Sequence, residues 1–399
     1  MDRNQLDPSV PSTTEAKKVP LIIKVYAVLC TLSGVGTLPS VAVFMWQVIT
    51  ALINGNVAAK LGDNTLVAVG LIVAGIMLSA ASAIILIVFG LDLIKDQRRN
   101  AARLSYVLIA FTVVELLVDV MLQGIGPFLL RPAVQLVILI ALSATVDPTL
   151  RQERELQRRL QEMLGRDETG EGYIKLNYFN LFWVFFVCSV LGLILEEVWH
   201  MVVVDPGVYQ DRAGMLFGPF SPIYGFGAVL MTMALNRFYK KNPLIIFLVS
   251  ALIGGAFEVF VGWFMQTSFG VVSWSYSHIR LFGMPDPIAV LTGGRTCTPF
   301  ACMWGLGGLI WIKVLLPRLL KLINMIPWKR RYSATVILTA VMLIDGVMTL
   351  QSLGYWYQRV NGTVRNIPVA QFYDKHFDNE YMENRFQSMT MSPKDATRV

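Results

Sequence analysis

Glu196, Glu258 and Asp345 each lie within an apolar stretch of this 399-residue sequence. An ionised carboxylate deep in a bilayer costs roughly 2.5–3.5 kcal/mol on insertion scales for Asp. Each acid must therefore face a bundle interior, pair with a cation or hold a proton. Arg295 is the expected cation: Gly293 and Gly294 precede it and allow close backbone approach, and its long side chain can reach toward either acid. His200 stands one helical turn after Glu196 and can share a proton with it. Glu196, Glu258 and Arg295 are expected to meet, because burying any of them unpaired is costly. The chemistry on offer is proton or ion binding along a pathway, or an ion pair that only registers helices.

The elements that must position these groups form a repeated hairpin, residues 192–230 and 254–310. Each copy opens with an apolar helix carrying an acid four residues after a glycine, Gly192 to Glu196 and Gly254 to Glu258. Each closes with a helix entered through one signature, G-x4-P-F-x3-aromatic-G-x-G. Its first copy is Gly214, Pro219, Phe220, Tyr224, Gly225 and Gly227; its second is Gly294, Pro299, Phe300, Trp304, Gly305 and Gly307. The two openings are expected to run in the same direction, with a pseudo-twofold along the membrane normal and a pathway where the copies meet. The Pro-Phe pairs break helices at entry, which suits a ligand site and ordinary helix entry equally. Trp263, Trp274, Tyr276 and Tyr224 fall near one boundary and read as an interfacial aromatic belt.

Composition fixes the class. The chain is 55% hydrophobic and 15% charged, too apolar for a soluble globule. Apolar stretches of about 20 residues recur, enough to cross about 30 Å of hydrocarbon. No period-2 barrel pattern occurs, so the spans are helices. The expected fold is an all-α polytopic membrane protein of about nine transmembrane helices. The net charge of +7 sits mostly in loops flanking the spans; it reads as topology and attraction to the lipid bilayer, not as nucleic-acid binding. Cys30, Cys188, Cys297 and Cys302 read as small buried hydrophobes, with no metal-ligand spacing and no sign of a cofactor site.

In order, residues 1–18 are a polar tail unlike a signal peptide, and residues 19–147 hold four spans. The first, Val19–Ile53, is expected to bend at Gly34, Gly36 and Pro39; the others are Thr65–Ile94, Leu104–Met121 and Phe128–Thr145. Glu115 and Asp119 share one face of the third. Residues 148–175 predict a cytoplasmic amphipathic helix and linker. Residues 176–356 hold five spans, Tyr178–Val204, Phe217–Asn236, Pro243–Phe269, Pro299–Leu316 and Ser333–Leu353, and 357–399 form a tail. Basic residues cluster at 95–103, 237–241 and 318–331, so those loops face the cytoplasm with the N-terminus. The loops after the fifth and seventh spans and the tail then lie outside. This is the pattern of a multi-pass protein of a bacterial plasma membrane.

Residues 177–386 resemble the family called Putative ABC-transporter type IV, the CmpB-like permeases. The pieces that carry the likeness are LGLILEEVW, FGPFSPIYGFGA, EVFVGW, WSYS, GGRTCTPFACMWGLGG, LIDGV and NEYMENRFQSM. Glu197, beside Glu196, and the insertion Ile279–Leu291 depart from the family pattern. The resemblance implies a permease subunit moving a small solute with a separate ATPase. No phosphate loop of the G-x4-G-K-S/T type occurs, so ATP hydrolysis through such a site is not expected of this chain. The basic amphipathic segment Arg318–Trp328 is the candidate docking element for such an ATPase. A different class, a membrane-embedded enzyme acting on lipid or cell-envelope intermediates, could use Glu196, His200 and Arg295 as acid–base and phosphate groups. No Ser-His-Asp, HExxH or GxSxG pattern supports it. The third class is a non-transporting scaffold or sensor.

Overall fold

The computed structural model describes residues 19–54, 65–145, 176–363 and 367–396. The tail 1–18 and the stretch 148–175, where an amphipathic helix and linker are expected, lie outside the described residues. The described chain is largely helical, with only two-residue strands. It falls into two compact units, one of residues 19–119 and 126–145, the other of 120–125 and everything from 176 onward.

The first unit holds α1 (Leu21–Ile53), α2 (Thr65–Ile94), α3 (Arg98–Gln123) and α4 (Leu130–Thr145). The first helix runs continuously through Pro39. Gly34 serves packing: a side chain there would strike Ile87 and the Ala83 carbonyl, and one at Gly90 would strike Thr31 and Ala27. Helices in lipid gain little from hydrophobic burial against one another, so close van der Waals approach through small residues does this work. Lys24 closes one end by pairing with Asp96 at 2.8 Å. Glu115 and Asp119 are both half-buried.

The second unit holds α5 (Tyr178–Trp199), α6 (Pro222–Leu235), α7 (Pro243–Phe269), α8 (Pro287–Thr292), α9 (Thr298–Ile310), α10 (Leu316–Asn324), α11 (Trp328–Val360), α12 (Pro368–His376) and α13 (Asn379–Arg385). A π-helical stretch, His200–Val204, extends α5, and a second, Trp311–Leu315, joins α9 to α10. Val184, Met231, Leu235, Ile246, Ile312 and Leu316 form the core between these helices. Outward-facing positions are equally apolar: Leu195, Leu252 and Leu343 are 69%, 74% and 64% exposed. Helices apolar on every face belong in lipid.

Seven described helices are long and apolar enough to cross a membrane, against the nine expected. Two fall short. The fourth span begins with a 3-10 turn at Pro127–Leu129. The sixth starts at Pro222 instead of Phe217, because Gly218 takes a left-handed φ of 69° and Pro219 and Pro222 follow it. The eighth and ninth run longer than expected, over Thr298–Asn324 and into Val360.

The tail folds back onto the second unit. Its strand Thr390–Met391 pairs antiparallel with Val271–Val272, just past α7. Arg385 binds the loop before α6, donating to the Met215 and Gly218 carbonyls and to Asp211.

Candidate functional site

Glu196 sits in the last turn of α5 and is half-buried. Its cation is Arg212, from the loop that follows: Nε and Nη2 both donate to Oε1, at 2.9 and 2.8 Å. Nη1 of Arg212 donates to Gln210 at 2.7 Å, which fixes the plane of the guanidinium. Glu197, the extra acid, accepts from Tyr209 at 3.3 Å.

Glu258 lies in the middle of α7 and is only 6% exposed. It accepts from Tyr276 at 2.9 Å, Thr296 at 2.7 Å and Trp304 at 3.4 Å. No Lys, Arg or His pairs with it among the described residues. Phe300 stacks on Tyr276 with centroids 4.4 Å apart. Tyr276 lies past the helix end; burial first, then the Glu258 carboxylate beside it, pushes its hydroxyl far above the ordinary tyrosine range. Tyr276 therefore remains a proton donor to Glu258.

Tyr224 packs over Gly192, one helical turn before Glu196. The helix pairs α5–α6 and α7–α9 pack alike. Gly192 on α5 lies under Tyr224 of α6, and Gly254 on α7 lies under Trp304 of α9, each so close that a methyl group would overlap the ring. Gly225 abuts Phe185, and Gly305 abuts Phe247.

Other expected residues stand elsewhere. Arg295 does not neutralise either glutamate. Its Nη2 donates to Gln266 at 2.7 Å and its Nη1 to the Thr292 carbonyl at 3.1 Å. The left-handed turn at Gly293 and Gly294 directs it beside α7 at Gln266, two turns beyond Glu258. His200 opens the π-helical stretch, and its Nδ1 is buried without a partner. Asp345 accepts from the Phe217 backbone N–H and from Thr349, both at 3.3 Å, while Thr349 accepts from the Leu216 N–H. It anchors the loop before α6 from one side as Arg385 does from the other. Pro219 and Phe220 lie in that loop, with Phe220 against Phe186; Pro299 and Phe300 lie in the first turn of α9. Of the aromatics expected at one boundary, Tyr276 donates to Glu258 at 2.9 Å and Trp274 to the Arg295 carbonyl at 2.9 Å.

Asp286, inside the inserted loop, is fully buried. It caps α8 through the Ala289 N–H at 2.8 Å and α9 through the Thr298 N–H at 3.1 Å. Burial alone would raise its pKa, but these N–H groups and the Thr298 hydroxyl hold it below the ordinary Asp range. Asp286 thus stabilises the fold above pH ~3.9, its unfolded value, and that contribution is lost as pH falls further through the folded value. Asp286→Ala should cost about 1–3 kcal/mol at pH 7. Urea titrations at pH 7 and below pH 4 check this: the gap between variant and parent must narrow in acid, and an unchanged gap refutes the capping role.

Cys30, Cys188 and Cys297 are buried free thiols, and Cys302 is exposed. Among the described residues no three His, Cys, Asp or Glu gather as a metal site.

The acids, their helices and both signature loops all fall within one stretch of the chain. Residues 183–350 match the family Putative ABC-transporter type IV. The match is narrower than the resemblance seen in the sequence: it spans Glu196, Arg212, Tyr224, Glu258, Trp304 and Asp345 and stops short of Arg385. No curated protein and no solved structure matches the chain. With seven membrane-capable helices among the described residues, the chain is a multi-pass membrane protein carrying a transporter-type segment.

Proposed function

We propose that this chain is a permease subunit that moves a small solute past Glu196, Tyr224 and Glu258, driven by a separate ATPase. The observation that carries this reading is the inequality of the two acids. Glu196 is neutralised by Arg212, while Glu258, in the matching position of the second hairpin, is buried with neutral donors only. A buried acid without a cation at the meeting of two hairpins is an acceptor for a proton or a positively charged group. His200 and Asp345 border this path through the π-helical stretch and the loop before α6, and the Pro219-Phe220 and Pro299-Phe300 pairs form its entrances.

The architecture behind the proposal is a duplicated hairpin in a nine-crossing chain. The like packing of Gly192 with Tyr224 and of Gly254 with Trp304 supports the duplication. The tail supports the crossings of the second unit, because it holds both the loop before α6 and the strand after α7. Since α7 is long and apolar enough to cross, those two segments share a side of the membrane only if α6 crosses too. At about 1.5 Å per residue, the 14 residues of α6 rise about 21 Å, short of a full span. The buried loop residues Ala213, Met215 and Leu216 complete it, as irregular backbone can where protein covers it.

The basic loops 237–241 and 318–331 then face the cytoplasm, as does the start of α1. On α10, Leu316, Leu320 and Ile323 are buried, while Arg318, Lys321 and Leu322 are exposed, leaving a basic face for the ATPase. Purification from native membranes in mild detergent, with mass spectrometry of bound proteins and solutes, tests the proposal. An ATPase subunit and a polar solute are the expected companions. A chain that retains only lipid, with no ATPase, would instead favour an enzyme of lipid intermediates.

A further inference from the structure

The Arg295 guanidinium is a cation without an acid. Its partners are a side-chain amide and a backbone carbonyl, and its Nε is buried with none. No carboxylate pairs with it among the described residues. It lines a cavity of about 130 Å³ together with Gly262, Gln266, Ser273, Trp274 and Gly293. At about 30 Å³ per water, that is room for a few waters or one small oxyanion. The glycines make this room. Gly293 has a φ of 62°, and a side chain there would come within 3.0 Å of Nη1. Gly262 faces Trp274 and the Arg295 stem across the same space. Trp274 is fixed by its bond to the Arg295 carbonyl, and so walls the cavity rigidly.

A half-buried charge with only neutral partners needs a counter-charge, and guanidinium geometry selects carboxylate or phosphate oxygens. We propose that this cavity is a binding site for a small oxyanion, phosphate or carboxylate, held by Arg295 with Gln266 and Ser273 beside it. The site is separate from Glu196 and Glu258 and stands whether or not the chain transports anything. The same chemistry is offered by free phosphate and by the headgroup of an anionic lipid.

The test uses the full chain, purified in detergent and in nanodiscs. Sodium phosphate, compared with sodium chloride at equal ionic strength, should raise the thermal midpoint saturably; nanodiscs of phosphatidylglycerol should do so relative to phosphatidylcholine if the headgroup is the source. Gln266→Glu supplies an internal counter-charge where Arg295 already bonds, so it should fold and yet bind the anion at least about tenfold more weakly. Arg295→Gln should lose the response as well; if it fails to fold, Gln266→Glu alone decides. A response to either source that Gln266→Glu abolishes supports the site and names its source. Absence of any response in the parent protein, or a response unchanged in Gln266→Glu, overturns it.

Discussion

Arg212→Gln is expected to destabilise the protein by about 3 kcal/mol, and adding Glu196→Gln should recover most of that loss. Removing one member of a buried pair leaves the other charged and uncompensated, at about 3–5 kcal/mol for full burial. The low end applies because the two side chains are 20% and 21% exposed. The double change leaves two amides that can still bond across the same gap. Thermal or chemical unfolding of the four variants in one detergent gives the coupling directly. Equal stability of the single and double variants would mean that Arg212 does not serve Glu196. Arg295→Gln, carried alongside, should show no coupling to Glu196, since that arginine is spent on Gln266 and Thr292.

Glu258→Gln should leave a folded protein that no longer retains its solute. The amide has nearly the same shape, and the Tyr276 and Thr296 hydroxyls can turn to accept from it; only the Trp304 N–H keeps its direction. The stability cost is therefore about 1–2 kcal/mol. What disappears is the negative charge, which the proposed pathway needs. Solute co-purifying with the parent chain should be absent from the variant at equal yield of folded protein. Retention of the solute by Glu258→Gln would remove this acid from the path and leave it a structural acceptor for three donors.

How much of this is legible in the sequence depends on whether a residue's partner is set by helix spacing or by a loop's return. Glu196 and Glu258 stand out because each follows a glycine by four positions, and the same glycines seat Tyr224 and Trp304. Helix periodicity transmits that information faithfully. Arg212 does not stand out: it lies in a loop, and only the fold of residues 205–221 brings it back to Glu196. Arg295 reads as the better partner because two glycines precede it, yet their left-handed turns send it to Gln266. The start of α6 misleads for a related reason. Phe217–Ser221 is apolar enough for a span, but glycine and proline torsions keep it out of the helix. Arg385 is written in the stretch NEYMENRFQSM, but nothing local says that its three bonds reach a loop far back in the chain.

The tail has a mechanical consequence. Arg385 grips the loop before α6, and Thr390–Met391 extends the strand that leaves α7. One short segment of the tail thus ties the start of α6 to the end of α7, with Gly270 too close to the Ser392 carbonyl for any side chain. Any movement of the start of α6 against the end of α7 must break charge-assisted bonds there or carry the tail along as part of a single rigid piece. The opposite end carries a tie of its own: Lys313 donates to the Tyr239 carbonyl and lies over the Tyr239 ring, 4.4 Å from its centroid. Motion of α6 and α7 against their neighbours therefore meets a tie at both ends, so the tail and the Lys313 contact must give together.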